Sequence, residues 1–157
     1  MTAQWPPNWE QLIRGINCEM CDSERRDSDQ YGIRIRATDI TDTVLQRARV
    51  QRGYTLVIWR GRHVTEPTEL TDVEASLYWR DVLTAAQALM QHYSPLKMNY
   101  ETLGNSLPHL HTHLVPRYVE DPAPGRPFPL LPLSGSEPPV PEEQLQADAN
   151  TLRNLLS

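Results

Sequence analysis

The run Pro108-His109-Leu110-His111-Thr112-His113-Leu114-Val115-Pro116-Arg117 carries three of the chain's five histidines, one at every second position. Side chains of extended backbone alternate between faces. The spacing therefore predicts a strand over residues 107–115 with all three imidazoles on one side and Leu110, Thr112 and Leu114 on the other. Imidazole is a nucleophile, a general acid or base near neutral pH and a common metal ligand, so the row can serve any of these roles.

Residues 97–100 read as a strand, joined to the histidine run by a loop around Gly104. Residues 31–37, 43–50 and 54–59 are strand-like, with turn signals at 39–42 and at Gln51-Arg52-Gly53. Such short connections favour an antiparallel meander. Thr71-Asp72-Val73-Glu74 is a capping box, and Val73, Leu77, Trp79, Val82, Leu83, Ala86, Leu89, Met90 and Tyr93 form a helical apolar stripe that runs to about His92 and is closed by Pro95. His92 itself reads as a partner of the helix dipole or as a solvated side chain. Residues 9–16 suggest a short helix, 18–30 a polar connection, 120–141 an extended proline-rich arm, and 142–156 a final amphipathic helix. Strands grouped around one long helix point to an α+β domain on an antiparallel sheet. The expected division is a domain over 1–119 and an arm plus helix over 120–157.

The 157 residues hold no apolar run long enough to span a membrane, and the first nine residues lack a signal-peptide pattern, so a cytoplasmic protein without membrane partners is expected. A net charge of −5 gives no basic footprint for nucleic acid but leaves room for a small anionic ligand in a local site. The two cysteines, Cys18 and Cys21, leave zinc, a redox pair or inert thiols as readings. Zinc is favoured, because a redox dithiol normally opens a helix inside a βαβ unit.

A tetrahedral zinc on Cys18 and Cys21 needs two more ligands, and His63 and His109 are the best placed. His111 is then the free central imidazole, able to attack phosphorus if a backbone carbonyl holds the proton on its other nitrogen. His113 could assist at the phosphate or leaving group. Asn99, Asn105 and Ser106 could donate to phosphate oxygens or could simply be turn residues. Alternatively, His109, His111 and His113 could all bind one zinc. Arg34 with Arg36, and Arg47 with Arg49, fall at period-two spacing, which predicts each pair on one sheet face, either solvated or covered by something acidic.

The pattern His109-Leu110-His111-Thr112-His113-Leu114-Val115, preceded by Gly104-Asn105-Ser106, resembles the histidine-triad family. The run Gly53-Tyr54-Thr55-Leu56-Val57-Ile58 followed by His63 resembles that family's second landmark, and Cys18-x-x-Cys21 its zinc-binding branch. The resemblance implies a five-stranded antiparallel sheet with one long helix, a homodimer, and hydrolase or transferase chemistry at a nucleotide α-phosphate. It implies His111 as nucleophile, His113 as its assistant, and structural zinc on Cys18, Cys21, His63 and His109. Related transferases usually carry glutamine at the third triad position, so His113 favours hydrolysis. Gln46 stands where many members have a ribose-binding Asp, Asn105 replaces the usual Gln, and Trp59-Arg60-Gly61-Arg62 replaces a shorter segment. Pro108 and the ending Val115-Pro116-Arg117-Tyr118 look closer to bacterial dinucleoside polyphosphate hydrolases than to the phosphoramidase branch. A diadenosine polyphosphate hydrolase is therefore expected, with a nucleoside phosphoramidase or a nucleotide-binding regulator as alternatives.

Overall fold

The computed structural model describes residues 4–22, 24–47, 51–129 and 140–157. Five strands, β1 (Gly32–Ala37), β2 (Thr41–Gln46), β3 (Thr55–Trp59), β4 (Lys97–Glu101) and β5 (His111–Arg117), form one sheet in the order β1-β2-β3-β5-β4, every pairing antiparallel. β2 begins two residues earlier than predicted, and Ala48 to Val50 lie outside the described residues. The histidine strand also shifts: it starts at His111 and runs on to Arg117, leaving His109 in the bend before it.

Helices α1 (Trp9–Ile13) and α2 (Glu19–Asp22) precede the sheet, α3 (Asp72–Tyr93) lies between β3 and β4, and α4 (Glu142–Leu156) closes the chain. The capping box forms as the sequence predicts: Thr71 Oγ1 accepts from the Glu74 amide at 3.2 Å while Glu74 Oε2 accepts from the Thr71 amide at 2.8 Å. The predicted apolar stripe is wider than the face that α3 buries. Tyr78, Val82, Ala85, Ala86 and Leu89 pack on the sheet, whereas Val73, Leu77, Trp79, Leu83 and Met90 stay on the outer side.

α4 lies along α3 and the edge strand β1, and its Leu145, Ala149 and Leu152 enter the same core as Ile33, Leu45, Val57 and Leu89. A covered edge cannot recruit a foreign strand. His92 proves to be neither solvated nor a simple dipole partner, because its Nε2 meets Asp148 Oδ1 of α4 at 2.9 Å.

The arginine pair of β1 does not share a face. Arg34 pairs with Val44, but Arg36 pairs with Thr43, so Ile35 is an extra residue in the ladder and the side-chain alternation reverses across it. Arg36 consequently turns to the helix side, where its Nη1 donates to Asp81 of α3 at 3.0 Å. Arg34 remains on the opposite face, bonded to Asp27 at 2.7 Å. Arg47 is covered by Glu142, and Arg49 lies outside the described residues.

Candidate functional site

The face of the sheet away from α3 carries the site. His111 stands opposite Ile58 and His113 opposite Leu56 across the β3–β5 ladder, so alternation places both imidazoles on that face, while Thr112 points to the core and meets Tyr78 Oη at 2.8 Å. The two rings are neighbours, with centroids 4.8 Å apart. Each histidine of the row has different company, and that excludes a single metal held by all three.

His109 joins the N-terminal segment. Cys18 Sγ lies 3.5 Å from its Nδ1, and Cys21 Sγ lies 3.4 Å from the same atom and 3.1 Å from His63 Nδ1. The four possible ligand atoms of Cys18, Cys21, His63 and His109 all lie within 4.8 Å of one another. Tetrahedral geometry with ordinary zinc–thiolate and zinc–imidazole bonds sets sulfur–nitrogen edges of about 3.5 Å, close to these values. The donor chemistry fits as well. His109 Nε2 lies 2.8 Å from the carbonyl of Trp59, which can only accept, so the proton sits on Nε2 and the Nδ1 lone pair is turned toward the thiols. Burial pushes the His109 pKa down to about 4, which keeps that lone pair free of protons. A tight turn through Gly15 and Asn17, both at positive φ, brings the cysteines here, and a Cβ at Gly15 would stand 2.9 Å from the His63 ring. These four residues can hold a metal ion.

His111 Nδ1 lies 2.6 Å from the carbonyl of His109, so this imidazole carries its proton on Nδ1 and presents the Nε2 lone pair. Burial lowers its pKa and outweighs that hydrogen bond, which raises it. His113 Nδ1 lies 2.6 Å from Tyr54 Oη, and its pKa is pushed down to about 4 by burial and then by His111. Across the β4–β5 ladder His113 stands opposite Glu101, whose carboxyl is raised by burial.

Arg117, at the end of β5, is 8% exposed and uses all five of its N–H donors. Its fork reaches Asp121 at 2.6 and 3.0 Å, Asn99 Oδ1 at 2.5 Å, and the carbonyls of Ala123 and Arg126 at 2.7 and 2.8 Å. The start of the proline-rich segment is therefore a packed element and not the extended arm expected. Phe128 is buried among Tyr54, Leu56, Ile58 and Val115, and the Arg117 guanidinium lies 5.5 Å from its ring centre. Residues 130–139 lie outside the described residues. An open cleft of about 1000 Å³ runs along β4, lined by Asn99, Glu101, Leu103, Arg117 and Arg126 among others. Asn105 and Ser106 sit exposed in the loop between β4 and β5.

Of the residues singled out in the sequence, Cys18, Cys21, His63 and His109 come together in one cluster, and His111 with His113 lies beside it. Asn99 is engaged by Arg117. Tyr54 and Glu101 carried no separate signal, because only the pairing of β3, β5 and β4 brings them to His113.

The domain model of the HIT family, named for the histidine triad, matches residues 34–120. The chain belongs to the HIT family. The matched span of this HIT protein includes His63 and the triad and begins after the two cysteines. It is 34% identical over 79 residues to the protein called hit of Bacillus subtilis (strain 168), an alignment covering 47% of this chain and 54% of that one, so the chain spans about half the length of that relative. A crystal structure of a histidine triad protein from Bradyrhizobium japonicum superposes with a TM-score of 0.70 at 21% identity, covering 86% of this chain and 98% of the other. A histidine triad protein from Marinobacter aquaeolei VT8 gives 0.65 at 27% identity, over 80% and 88%. A Zn-bound histidine triad family protein from Mycobacterium smegmatis gives 0.58 at 20% identity, over 83% and 86%. The HIT fold, with its five-stranded antiparallel sheet, is the architecture described above.

Proposed function

We propose that this HIT protein is a nucleotide hydrolase that cleaves diadenosine polyphosphates at the α-phosphate through a nucleotidyl-His111 intermediate. The observation that carries the reading is the 2.6 Å contact from His111 Nδ1 to the His109 carbonyl, which leaves Nε2 as a neutral nucleophile facing away from the backbone. Attack forms the P–N bond while the P–O bond to the remaining polyphosphate breaks, its electron pair leaving on that oxygen. Water then opens the P–N bond and returns the imidazole. His113 stands beside the nucleophile to contact the phosphoryl oxygens. Asn105 and Ser106, in the loop before β5, and the amide nitrogen of Asn99 are the uncharged donors assigned to the nucleotide.

The metal we assign to Cys18, Cys21, His63 and His109 is zinc, which when bound ties the N-terminal segment to the sheet. Its role is structural, since four protein ligands fill a tetrahedral shell and leave no position for a reactive water. The Zn-bound relative from Mycobacterium smegmatis supports the choice of metal. The exposed Leu77, Trp79 and Leu83 of α3 support a homodimer in which this face is covered. Among the described residues no helix is long and apolar enough to cross a membrane, and a pair of thiols kept for metal suits the cytoplasm.

The test is mass spectrometry of the intact protein, quenched without acid during turnover of diadenosine tetraphosphate, with the wild type beside His111→Ala. An added nucleotidyl mass in the wild type alone is the expected result. Full activity in folded His111→Ala would overturn the mechanism.

A further inference from the structure

His111 and His113 share a strand and a face, yet their Nδ1 atoms meet chemically opposite partners. A carbonyl can only accept, so His111 is protonated on Nδ1. A phenol can donate or accept, so the 2.6 Å contact between Tyr54 Oη and His113 Nδ1 admits two arrangements. If the imidazole donated, the phenol's own proton would need another acceptor. Among the described residues Tyr54 Oη has no second hydrogen-bond partner, and the residue is 7% exposed. A buried O–H without an acceptor costs more than an oxygen lone pair left unused. The phenol therefore donates, His113 Nδ1 accepts, and the His113 proton sits on Nε2.

The surroundings hold that arrangement. Phe128 and Val115 pack with Tyr54, and the phenol and imidazole rings are nearly parallel, 10° apart, with centroids at 5.8 Å. Burial, and then the charge of Glu101, push the phenol pKa far above its ordinary value, so the hydroxyl keeps its proton. Two imidazoles two residues apart thus present opposite atoms: a lone pair from His111 and an N–H from His113.

We propose that Tyr54 is a positioning residue that sets the third triad histidine as a neutral Nε2–H donor, and that the site is thereby matched to leaving groups that depart as anions. The inference rests on the hydrolase reading above and narrows its substrate class. His113 lends a hydrogen bond to the phosphoryl group and keeps its proton. Giving the proton up would leave an imidazolate, or a tyrosinate if the phenol refilled Nδ1, and both anions are disfavoured in a buried setting. A polyphosphate leaves on an oxygen of low basicity and needs no proton. An amine expelled from a phosphoramidate must acquire one. The arrangement selects phosphoanhydrides over phosphoramidates.

The first arm of the test needs no substrate. In metal-loaded protein labelled with ¹⁵N-histidine at pH 7, the His113 resonances are assigned with His113→Gln, and the wild type is compared with Tyr54→Phe, which keeps the ring that packs against Phe128. The expected result is a protonated Nε2 and a hydrogen-bonded, unprotonated Nδ1 in the wild type, with the Nδ1 shift moving in Tyr54→Phe. A proton on Nδ1 of the wild type, or an Nδ1 shift identical in the two proteins, overturns the inference.

The second arm is kinetic. Tyr54→Phe should lower kcat for diadenosine tetraphosphate about tenfold, the worth of one hydrogen bond, with KM within about twofold. The wild type should prefer that substrate to adenosine 5′-phosphoramidate by more than about tenfold in kcat/KM, since an unassisted amine is the poorer leaving group. Unchanged kcat in the folded variant, or equal use of the two substrates, overturns it. If the wild type turns over neither compound, the hydrolase reading fails, and the resonance arm alone decides whether Tyr54 sets the tautomer.

Discussion

Replacing Arg117 by Met removes five hydrogen bonds at once and leaves a carboxylate without its counter-ion. Asp121 has a side chain only 2% exposed, and the Arg117 fork is the main reason its carboxyl is held below the ordinary range. After the change Asp121 keeps the Ala123 amide at 2.9 Å, while Asn99 Oδ1 and the carbonyls of Ala123 and Arg126 lose a donor. Breaking one partner of a buried ion pair costs about 3–5 kcal/mol, but this pair borders an open cleft into which water can follow, so about 2–3 kcal/mol is expected. Urea unfolding at pH 7 is the assay. With a slope of about 2 kcal/mol per molar for a chain of this size, the midpoint should fall by about 1–1.5 M.

The same measurement against pH carries a sign. A carboxyl whose folded pKa is depressed contributes stability above its unfolded value, about 4, and that contribution disappears as pH falls through the folded value. The gap between wild type and Arg117→Met should therefore narrow as pH drops below about 4. A double variant that also replaces Asp121 by Asn should be less destabilised than the two single changes summed, because no orphan charge remains. A midpoint shift under about 0.3 M at pH 7, or full restoration by Lys, which cannot offer a fork, would refute the reasoning.

Protein purified with its metal should carry about one zinc per chain, and Cys21→Ser should lose it together with several degrees of Tm; elemental analysis alongside thermal unfolding checks both, and a metal content unchanged by the substitution would contradict the ligand set. Tyr78→Phe deletes the hydroxyl that meets Thr112 Oγ1 at 2.8 Å and the Val57 carbonyl at 3.3 Å, and should cost about 1 kcal/mol in denaturant unfolding while the domain stays folded. Because the folded pKa of His113 is depressed to about 4, the unfolded chain takes up the proton first, and stability is lost as pH falls from about 6.5 towards 4. His113→Gln, which cannot titrate, should lose less stability than the wild type across that window, and parallel curves would count against it.

Regular alternation made much of this protein legible in advance. His111 and His113 share a face because period two holds through β5, and the capping box at Thr71 marked the start of α3 to the residue. The convergence of Cys18, Cys21, His63 and His109 was legible for another reason: two thiols three apart and five histidines are few enough to enumerate. What escaped depended on departures from regularity or on pairing. Ile35 carries no glycine or proline to announce a bulge, so Arg34 and Arg36 were expected together and stand on opposite faces. α3 has more apolar residues than one packing face can take, and composition does not say which side meets the sheet. Arg117 looks like a strand-end cation until the chain turns back and supplies Asp121 and two carbonyls. Tyr54 is just another aromatic in a strand run until β3 is laid against β5.

His109 acts through two separate parts of one amino acid. Its side chain belongs to the Cys/His cluster, while its backbone oxygen accepts the hydrogen bond from His111 Nδ1. The backbone of one residue thus joins the candidate metal site to the imidazole proposed as the nucleophile. On the function proposed above, a metal held by the His109 side chain would fix the path of the backbone whose carbonyl orients His111, and so would share in aiming a nucleophile it never touches.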